Sequence, residues 1–131
     1  MVTNLDLQGR WGLYPWFDGN DVDFICPDDV ERARKLVLYG KVFYCEKQCG
    51  DFIVLIYGDC SLKVNPCLFK PVRDIRFSIG DKISVSPLLS SKEGVILNIE
   101  WHHKRDEPIY YLSFNGNKSS KRYFENELSL L

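Results

Sequence analysis

The side chains with the most reactive chemistry are five cysteines and two histidines. Four of the cysteines, Cys45, Cys49, Cys60 and Cys67, could together supply the thiolates of a zinc site. Their C-x3-C and C-x6-C spacings differ from the paired C-x2-C spacing typical of tetrahedral zinc. An odd number of cysteines without a secretory signal instead favours reduced thiols that pack as small apolar side chains. We therefore expect buried free thiols and no metal.

The sequence contains none of the motifs typical of common enzyme active sites. It has no phosphate-binding loop, G-x-S-x-G, H-E-x-x-H or dinucleotide fingerprint. His102 and His103 are adjacent at the end of a predicted strand and would point to opposite faces. Asp28 and Asp29 lie in the first turn of a predicted helix, where negative charge suits the helix dipole. We predict a protein that is not an enzyme and that needs no cofactor.

An aromatic and acidic loop near the N-terminus is the first candidate for partner recognition. Trp16, Phe17 and Asp18 are followed by the turn-forming sequence Gly-Asn-Asp. Tryptophan and other aromatic residues dominate the binding energy of many protein interfaces. The alternative is that this loop is a plug that closes the open end of a barrel.

The aromatic residues of the C-terminal half form the second candidate. They could build a cage around a methylated cation, or they could be core. Adjacent tyrosines on a strand point to opposite faces, so at most one of the pair shares a face with Phe114. The rings in question are Trp101, Tyr110, Tyr111, Phe114 and Tyr123, and His102 follows the first of them at a polar hairpin tip.

A small basic cluster forms the third candidate. Lys121 and Arg122 precede Tyr123, and basic residues between rings suit single-stranded nucleic acid. The overall charge argues against this, because 17 basic and 18 acidic residues leave a net charge of −1. Residues 1–71 carry a net −2 and residues 72–131 a net +1. Nucleic acid is therefore the less favoured partner.

These candidates must be positioned by a mainly β chain with one helix. The helix is predicted over residues 27–38, because Pro27 suits the first helical position and Val30, Ala33, Leu36 and Val37 form one apolar stripe. Alternating apolar residues and short turns predict strands over most of the remaining chain. Residues 90–94 are predicted to be a loop.

Two segments share an order of features. Residues 40–69 and 94–128 each contain a glycine, a strand, a polar tip, an apolar strand, a short strand and a final turn. The alternatives are a tandem duplication and the chance likeness of two hairpin units.

The second half carries a family resemblance. The runs FSIGDKISV, EGVILNIEW, PIYYLSFNG and KRYFENEL, within about residues 77–131, resemble the small SH3-like barrels of the KOW and Tudor kind. The resemblance implies a small barrel with a hairpin, a short strand and a single helical turn with a buried leucine. The whole chain, with its segment WGLYPWFDG, also resembles small uncharacterised bacterial proteins, which implies no activity.

We therefore expect two SH3-like barrels packed together, over residues 1–72 and 73–131. The strand Phe52–Tyr57 is apolar on both faces, so both faces should be buried. Either the two halves or two subunits share an interface there, or the helix covers the second face.

The function expected from these features is a non-enzymatic module that recognises a protein partner, of a regulatory or immunity type. The N-terminus lacks a signal sequence, and no apolar run approaches the roughly 18 residues that span a bilayer, so we expect a cytoplasmic protein and no membrane. The alternatives are a nucleic-acid or ribosome-associated barrel and, with the least support, a small enzyme.

Overall fold

A computed structural model describes residues 7–17, 19, 21–85 and 92–131 of the chain. These residues form ten strands, one short α-helix and four single 3₁₀ turns, so the prediction of a mainly β fold with one helix is confirmed. The chain divides into two compact units, 1–74 and 75–131, close to the predicted boundary after residue 72. The strands are β1 (Trp11–Leu13), β2 (Val42–Cys49), β3 (Phe52–Tyr57), β4 (Cys60–Val64), β5 (Lys70–Pro71), β6 (Lys82–Val85), β7 (Lys92–His102), β8 (Glu107–Phe114), β9 (Asn117–Tyr123) and β10 (Leu128–Leu130).

The two units have the same strand order. The sheet of unit 1 runs β4-β3-β2-β1-β5 and that of unit 2 runs β9-β8-β7-β6-β10, and all their pairings are antiparallel. In each unit the first four strands form a meander and the fifth returns beside the first. A 3₁₀ turn precedes the fifth strand, Pro66–Leu68 in unit 1 and Glu125–Glu127 in unit 2.

The core of each unit follows from the strand registers, since directly opposed residues share a face. In unit 1, Cys45 opposes Leu55, which opposes Leu62, and all three are buried. In unit 2, Tyr110 opposes both Ile99 and Tyr123, and these are buried too. The alternation predicted from sequence thus places one face of each sheet in a core.

The predicted helix is shorter than expected. Residues 27–29 form a 3₁₀ turn and the α-helix, α1, spans Val30–Leu36. Val37 is not part of the helical stripe, because its backbone adopts a left-handed conformation and its N–H donates to the Ala33 carbonyl as the C-cap. The prediction that the helix continues to residue 38 is therefore wrong.

Two other predictions are corrected in the repeated segments. The loop predicted at residues 90–94 belongs to β7 from Lys92 onward, and residues 90 and 91 lie outside the described part. Gly40 and Gly94 are not equivalent, since Gly40 lies in the turn before β2 and Gly94 lies within β7. Gly94 is needed for a close approach, because a Cβ there would lie 2.8 Å from the Ser113 carbonyl oxygen and 2.9 Å from the Phe114 ring.

The second face of β3 borders a groove within unit 1. Phe52 lies on the opposite face from the core residue Leu55 by strand alternation. It lines a groove of about 400 Å³ together with Val22, Ile25 and the helix residue Val30. This end of the second face of β3 and the helical residues thus lie on the two sides of a groove.

Candidate functional site

The segment between β1 and β2, residues 14–41, contains α1 and is anchored by a buried tyrosine. The hydroxyl of Tyr14 lies 2.7 Å from the carbonyl oxygen of Asn65 and 3.0 Å from that of Phe24, and it can donate to either. Burial raises the pKa of Tyr14 far above its ordinary value of 10.0, so the hydroxyl stays protonated and available as a donor. This contact ties the start of the segment to the turn that precedes β5.

A buried carboxylate holds the helix end of the same segment. Asp29 accepts a hydrogen bond from the backbone N–H of Lys63 on β4 at 2.8 Å and one from the guanidinium of Arg32 at 3.0 Å. Arg32 also donates to the Ser61 carbonyl oxygen at 2.7 Å. The sequence predicts that Asp29 stabilises the helix dipole. In the structure its carboxylate also links the start of the helix to β4 by hydrogen bonds.

The two described residues of the predicted loop site, Trp16 and Phe17, differ in their exposure. Trp16 is only 1 % exposed, and its indole N–H donates to the Asp21 carbonyl oxygen at 2.9 Å. Its ring is therefore inaccessible to a partner, and the prediction for Trp16 is wrong. Phe17 is 55 % exposed, as a binding residue requires. Asp18 lies outside the described residues.

Two residues that the sequence did not single out accompany Phe17. Tyr39 is 58 % exposed, and its ring centroid lies 6.4 Å from that of Phe17 in an edge-to-face arrangement. Val37 is 59 % exposed, while Leu38 between them is fully buried. The buried Leu38 fixes the chain so that Val37 and Tyr39 both face outward. We call Phe17, Val37 and Tyr39 the apolar patch.

Val37 has an unusual backbone for its residue type. Its φ is +61°, in the left-handed region that glycine and asparagine favour and β-branched residues avoid. Conformations of this kind cost of order 1–3 kcal/mol and are found at functional sites. No sequence signal could have found Val37, because its spacing continues the apolar stripe of the helix.

The predicted aromatic site of unit 2 is mostly core. Trp101 is 7 % exposed, Tyr123 is 5 % exposed and Tyr110 is fully buried. The ring of Tyr110 packs edge-on against Phe77 with centroids 5.5 Å apart. These rings fill the inner face of the sheet and form no open cage, so the assignment of Trp101 and Tyr123 to a binding surface is wrong.

Tyr111 lies on the outer face of the same sheet. Its hydroxyl donates to the Glu100 carboxylate at 3.2 Å, and Arg122 is its cross-strand neighbour. Burial, followed by the charge of Glu100, raises the pKa of Tyr111. Lys121 and Arg122 are exposed, and the Lys121 ammonium lies 4.9 Å from the centroid of the Tyr123 ring.

His102 belongs to a small cluster at the β7–β8 hairpin. Its Nδ1 accepts a hydrogen bond from the backbone N–H of Arg105 at 3.1 Å, and its ring packs edge-on against Phe124. The guanidinium of Arg105 lies 3.9 Å from the centroid of that same phenylalanine ring and bonds Glu107 at 2.9 Å. The ring of Phe124 thus already has a cation from its own chain. The predicted site residues 16–18 lie in unit 1, whereas 101, 102, 111 and 121–123 lie in unit 2.

A comparison with protein-family models identifies one match, a family of unknown function, DUF6960, over residues 4–129. The chain belongs to DUF6960. No curated protein and no solved structure matches the chain. The match spans residues of both units.

The cysteines of this DUF6960 member are free thiols in different environments. The prediction of buried thiols is right for Cys45 alone, because Cys67 is exposed and the other three are half-buried. Burial raises the pKa of the Cys60 thiol. Among the described residues no group of histidine, cysteine, aspartate or glutamate side chains is arranged to hold a metal. Nor do they include a helix with the length and apolar character needed to cross a membrane.

Proposed function

We propose that the protein is a non-enzymatic binding module that recognises a protein partner through the apolar patch of unit 1. The observation that carries the proposal is Val37, a β-branched side chain that is 59 % exposed at φ +61°, two residues before the exposed ring of Tyr39 that contacts Phe17. A glycine at this helix end would avoid the steric cost of a Cβ. An exposed apolar residue kept in a costly conformation is best explained by a contact that another molecule completes.

We further propose that both units are SH3-like barrels and that the protein acts in the cytoplasm. The shared strand order, the 3₁₀ turn before each fifth strand and the buried Leu128 support the barrel assignment. Free thiols, one of them exposed, are typical of a reducing compartment. An exposed patch of three apolar residues suits a regulatory or immunity-type protein that blocks its target.

The test separates binding from stability at one residue. Val37→Gly removes the exposed side chain and also removes the strain, so we expect an unchanged or higher melting temperature together with a loss of partner capture. Leu130→Ser is the matched control, because Leu130 is equally exposed, at 59 %, but lies in unit 2. Wild type and both variants would be immobilised, exposed to native cell lysate and compared by quantitative mass spectrometry.

The expected result is a protein retained by the wild type and by Leu130→Ser but lost on Val37→Gly. Equal retention by all three forms would refute the role of the patch. Melting temperatures measured in parallel exclude unfolding as the cause of any loss.

The nucleic-acid alternative draws on one observation, the exposed basic residues of the edge strand β9. Lys118, Lys121 and Arg122 lie there with no acidic residue between positions 117 and 123. Stacking of bases on the neighbouring rings is not favoured, because Tyr123 is buried and the guanidinium of Arg105 lies over the ring of Phe124. Binding to a single-stranded RNA that weakens steeply with salt and with Lys121→Glu would favour this alternative.

A further inference from the structure

The two sheets have the same strand order, but their equivalent edge strands differ in how they are covered. β4 is an edge strand of the sheet in unit 1, and β9 is the equivalent edge strand in unit 2. An edge strand has one row of backbone N–H and C=O groups that faces no partner strand. The covering of this row can therefore be compared between the two units of one chain.

The outer row of β4 is bonded to the helical segment of unit 1. The backbone N–H of Lys63 donates to the Asp29 carboxylate at 2.8 Å, and the carbonyl oxygen of Lys63 accepts the N–H of Cys26 at 2.9 Å. The carbonyl oxygen of Ser61 accepts a hydrogen bond from the Arg32 guanidinium at 2.7 Å. Because these groups are already bonded, a further strand cannot pair with this part of β4.

β9 has no such cover in the described part of unit 2. Its paired neighbour is β8, and no backbone hydrogen bond joins its outer row to another described segment of the unit. The connection between the first two strands is residues 14–41 in unit 1 but only residues 86–91 in unit 2. One group of β9 is bonded locally, since the N–H of Lys121 donates to the Ser119 hydroxyl at 3.2 Å. The rest of β9 offers an edge to which an extended peptide can add a strand.

The outer face of β9 is basic. Lys118 opposes Ser113 and Arg122 opposes Tyr111, so both cations lie on the same face of the sheet as Tyr111. Both are exposed, and residues 117–123 include no carboxylate. A strand added to β9 would therefore place its own residues on this face opposite two cations.

The carboxylates near β9 each accept a hydrogen bond within unit 2. They are Glu100, Glu107, Glu125 and Glu127. Arg122 lies near one of them, because burial and the charge of Glu100 raise the pKa of Tyr111 while Arg122 lowers it. Lys118 has no ion pair in the described part of the unit. Lys118 is thus the cation of this face that a partner would meet first.

We infer that β9 is a second interaction site, which pairs with an extended segment of a partner protein in which acidic and apolar residues alternate. The acidic side chains would oppose Lys118 on the outer face, and the apolar ones would continue the inner face beside the buried ring of Tyr123. A second copy of the chain does not fit, because two antiparallel β9 strands would oppose cations without any carboxylate between residues 117 and 123. The site is independent of the apolar patch, which belongs to unit 1.

Backbone NMR of the full-length protein tests the pairing with a defined probe. The probe is a synthetic peptide in which glutamate and valine alternate. Its control is the same peptide with N-methylated backbone amides, which keeps the charge but cannot donate to a strand. We expect the probe to shift the amide signals of residues 117–123 and to slow their exchange with solvent. The N-methylated peptide should do neither, because main-chain hydrogen bonds supply the affinity in strand addition.

A charge series at Lys118 tests the acidic character of the partner. The dissociation constant of the probe should rise about threefold with Lys118→Gln and roughly tenfold with Lys118→Glu, as expected for an exposed cross-strand ion pair that is lost and then reversed. The matched control is Lys47→Glu, which changes an exposed lysine on the inner strand β2 of unit 1 and should leave the affinity unchanged.

Four results would overturn the inference. Equal binding of the N-methylated peptide would show attraction by charge without strand pairing, and an affinity unaffected by Lys118→Glu would exclude the acidic partner. Unchanged β9 signals would mean that the lysines protect the edge from association. Shifts of these signals with an oligouridine but not with the probe would assign β9 to RNA. None of these results involves the apolar patch, so the proposed function would stand in each case.

Discussion

The hydrogen bond between Tyr110 and Glu125 should be among the largest single polar contributions to the stability of unit 2. Tyr110 is fully buried, and its hydroxyl donates to the Glu125 carboxylate at 2.8 Å. The same carboxylate oxygen accepts the backbone N–H of Arg76 at 2.8 Å. The carboxylate therefore joins β8, the start of unit 2 and the turn before β10.

The perturbation is Tyr110→Phe, which removes the donor and keeps the ring. A buried hydrogen bond to a charged group contributes about 1.5–3 kcal/mol, so we expect a loss of about 2 kcal/mol in the free energy of unfolding. The chain supplies a matched control in the next residue. Tyr111 also donates to a glutamate, Glu100, but at 3.2 Å and from a half-buried position that water can reach. Tyr111→Phe should cost about 0.5 kcal/mol or less.

Replacing the acceptor tests whether its charge matters. In a Glu125→Gln background the tyrosine hydroxyl still has an oxygen to bond, but the acceptor is neutral. The cost of Tyr110→Phe should then fall to about 1 kcal/mol. The difference between the two backgrounds is the coupling energy of the pair.

Urea unfolding followed by NMR signals of β8 amides would report on unit 2 even where the two units unfold separately. A loss of about 2 kcal/mol corresponds to a fall in melting temperature of about 8–16 °C for a domain of this size class. Equal losses for Tyr110→Phe and Tyr111→Phe would refute the reasoning, since burial and bond length would then not decide the energy.

Three further predictions follow from the described contacts. Gly94→Ala should lower the free energy of unfolding by about 1–3 kcal/mol, because the new methyl group would clash with the Ser113 carbonyl oxygen. A denaturant midpoint equal to that of the wild type would contradict the close approach at this position. Because burial raises the pKa of Tyr14, the folded protein holds a proton that the unfolded chain loses near pH 10, so the free energy of unfolding should fall as the pH rises above 10. Between about pH 8 and pH 11, the urea midpoint should therefore fall less for Tyr14→Phe than for the wild type. Parallel falls for the two proteins would exclude this contribution. Iodoacetamide should alkylate Cys67 in the folded protein and Cys45 only after unfolding, as mass spectrometry of the peptides would show; modification of both at the same rate would contradict the burial of Cys45.

The positions of most strands and of the helix could be predicted from the sequence. The alternation in residues 95–101 and 109–114 and the apolar run 52–57 mark strands, because side-chain period is a local property of the backbone. Pro27 and the acidic residues after it mark the helical segment for the same reason, but its first turn, residues 27–29, is 3₁₀ and the α-helix begins at Val30. The segment likeness between residues 40–69 and 94–128 also lies in local order, and it corresponds to strands two to four of each sheet.

The candidate site was predicted less well, because exposure depends on contacts between distant residues. Trp16 and Phe17 are adjacent and equally aromatic, yet one is core and the other surface. Val37 continues the helical spacing, but the chain turns at this residue because Leu38 enters the core. A sequence pattern registers only that Val37 and Leu38 are both apolar.

The sequence by itself determined where most strands and turns lie along this chain, that the charges nearly balance and that no familiar catalytic motif is present. Only the tertiary structure decided that the fifth strand of each unit pairs with the first, that the rings of Trp101 and Tyr123 are core, and that Phe17, Val37 and Tyr39 face outward. The physical reason is the distance along the chain over which each effect acts. Periodicity and turn chemistry act over a few residues, whereas burial is decided by which segments, tens of residues apart, pack on the same sheet.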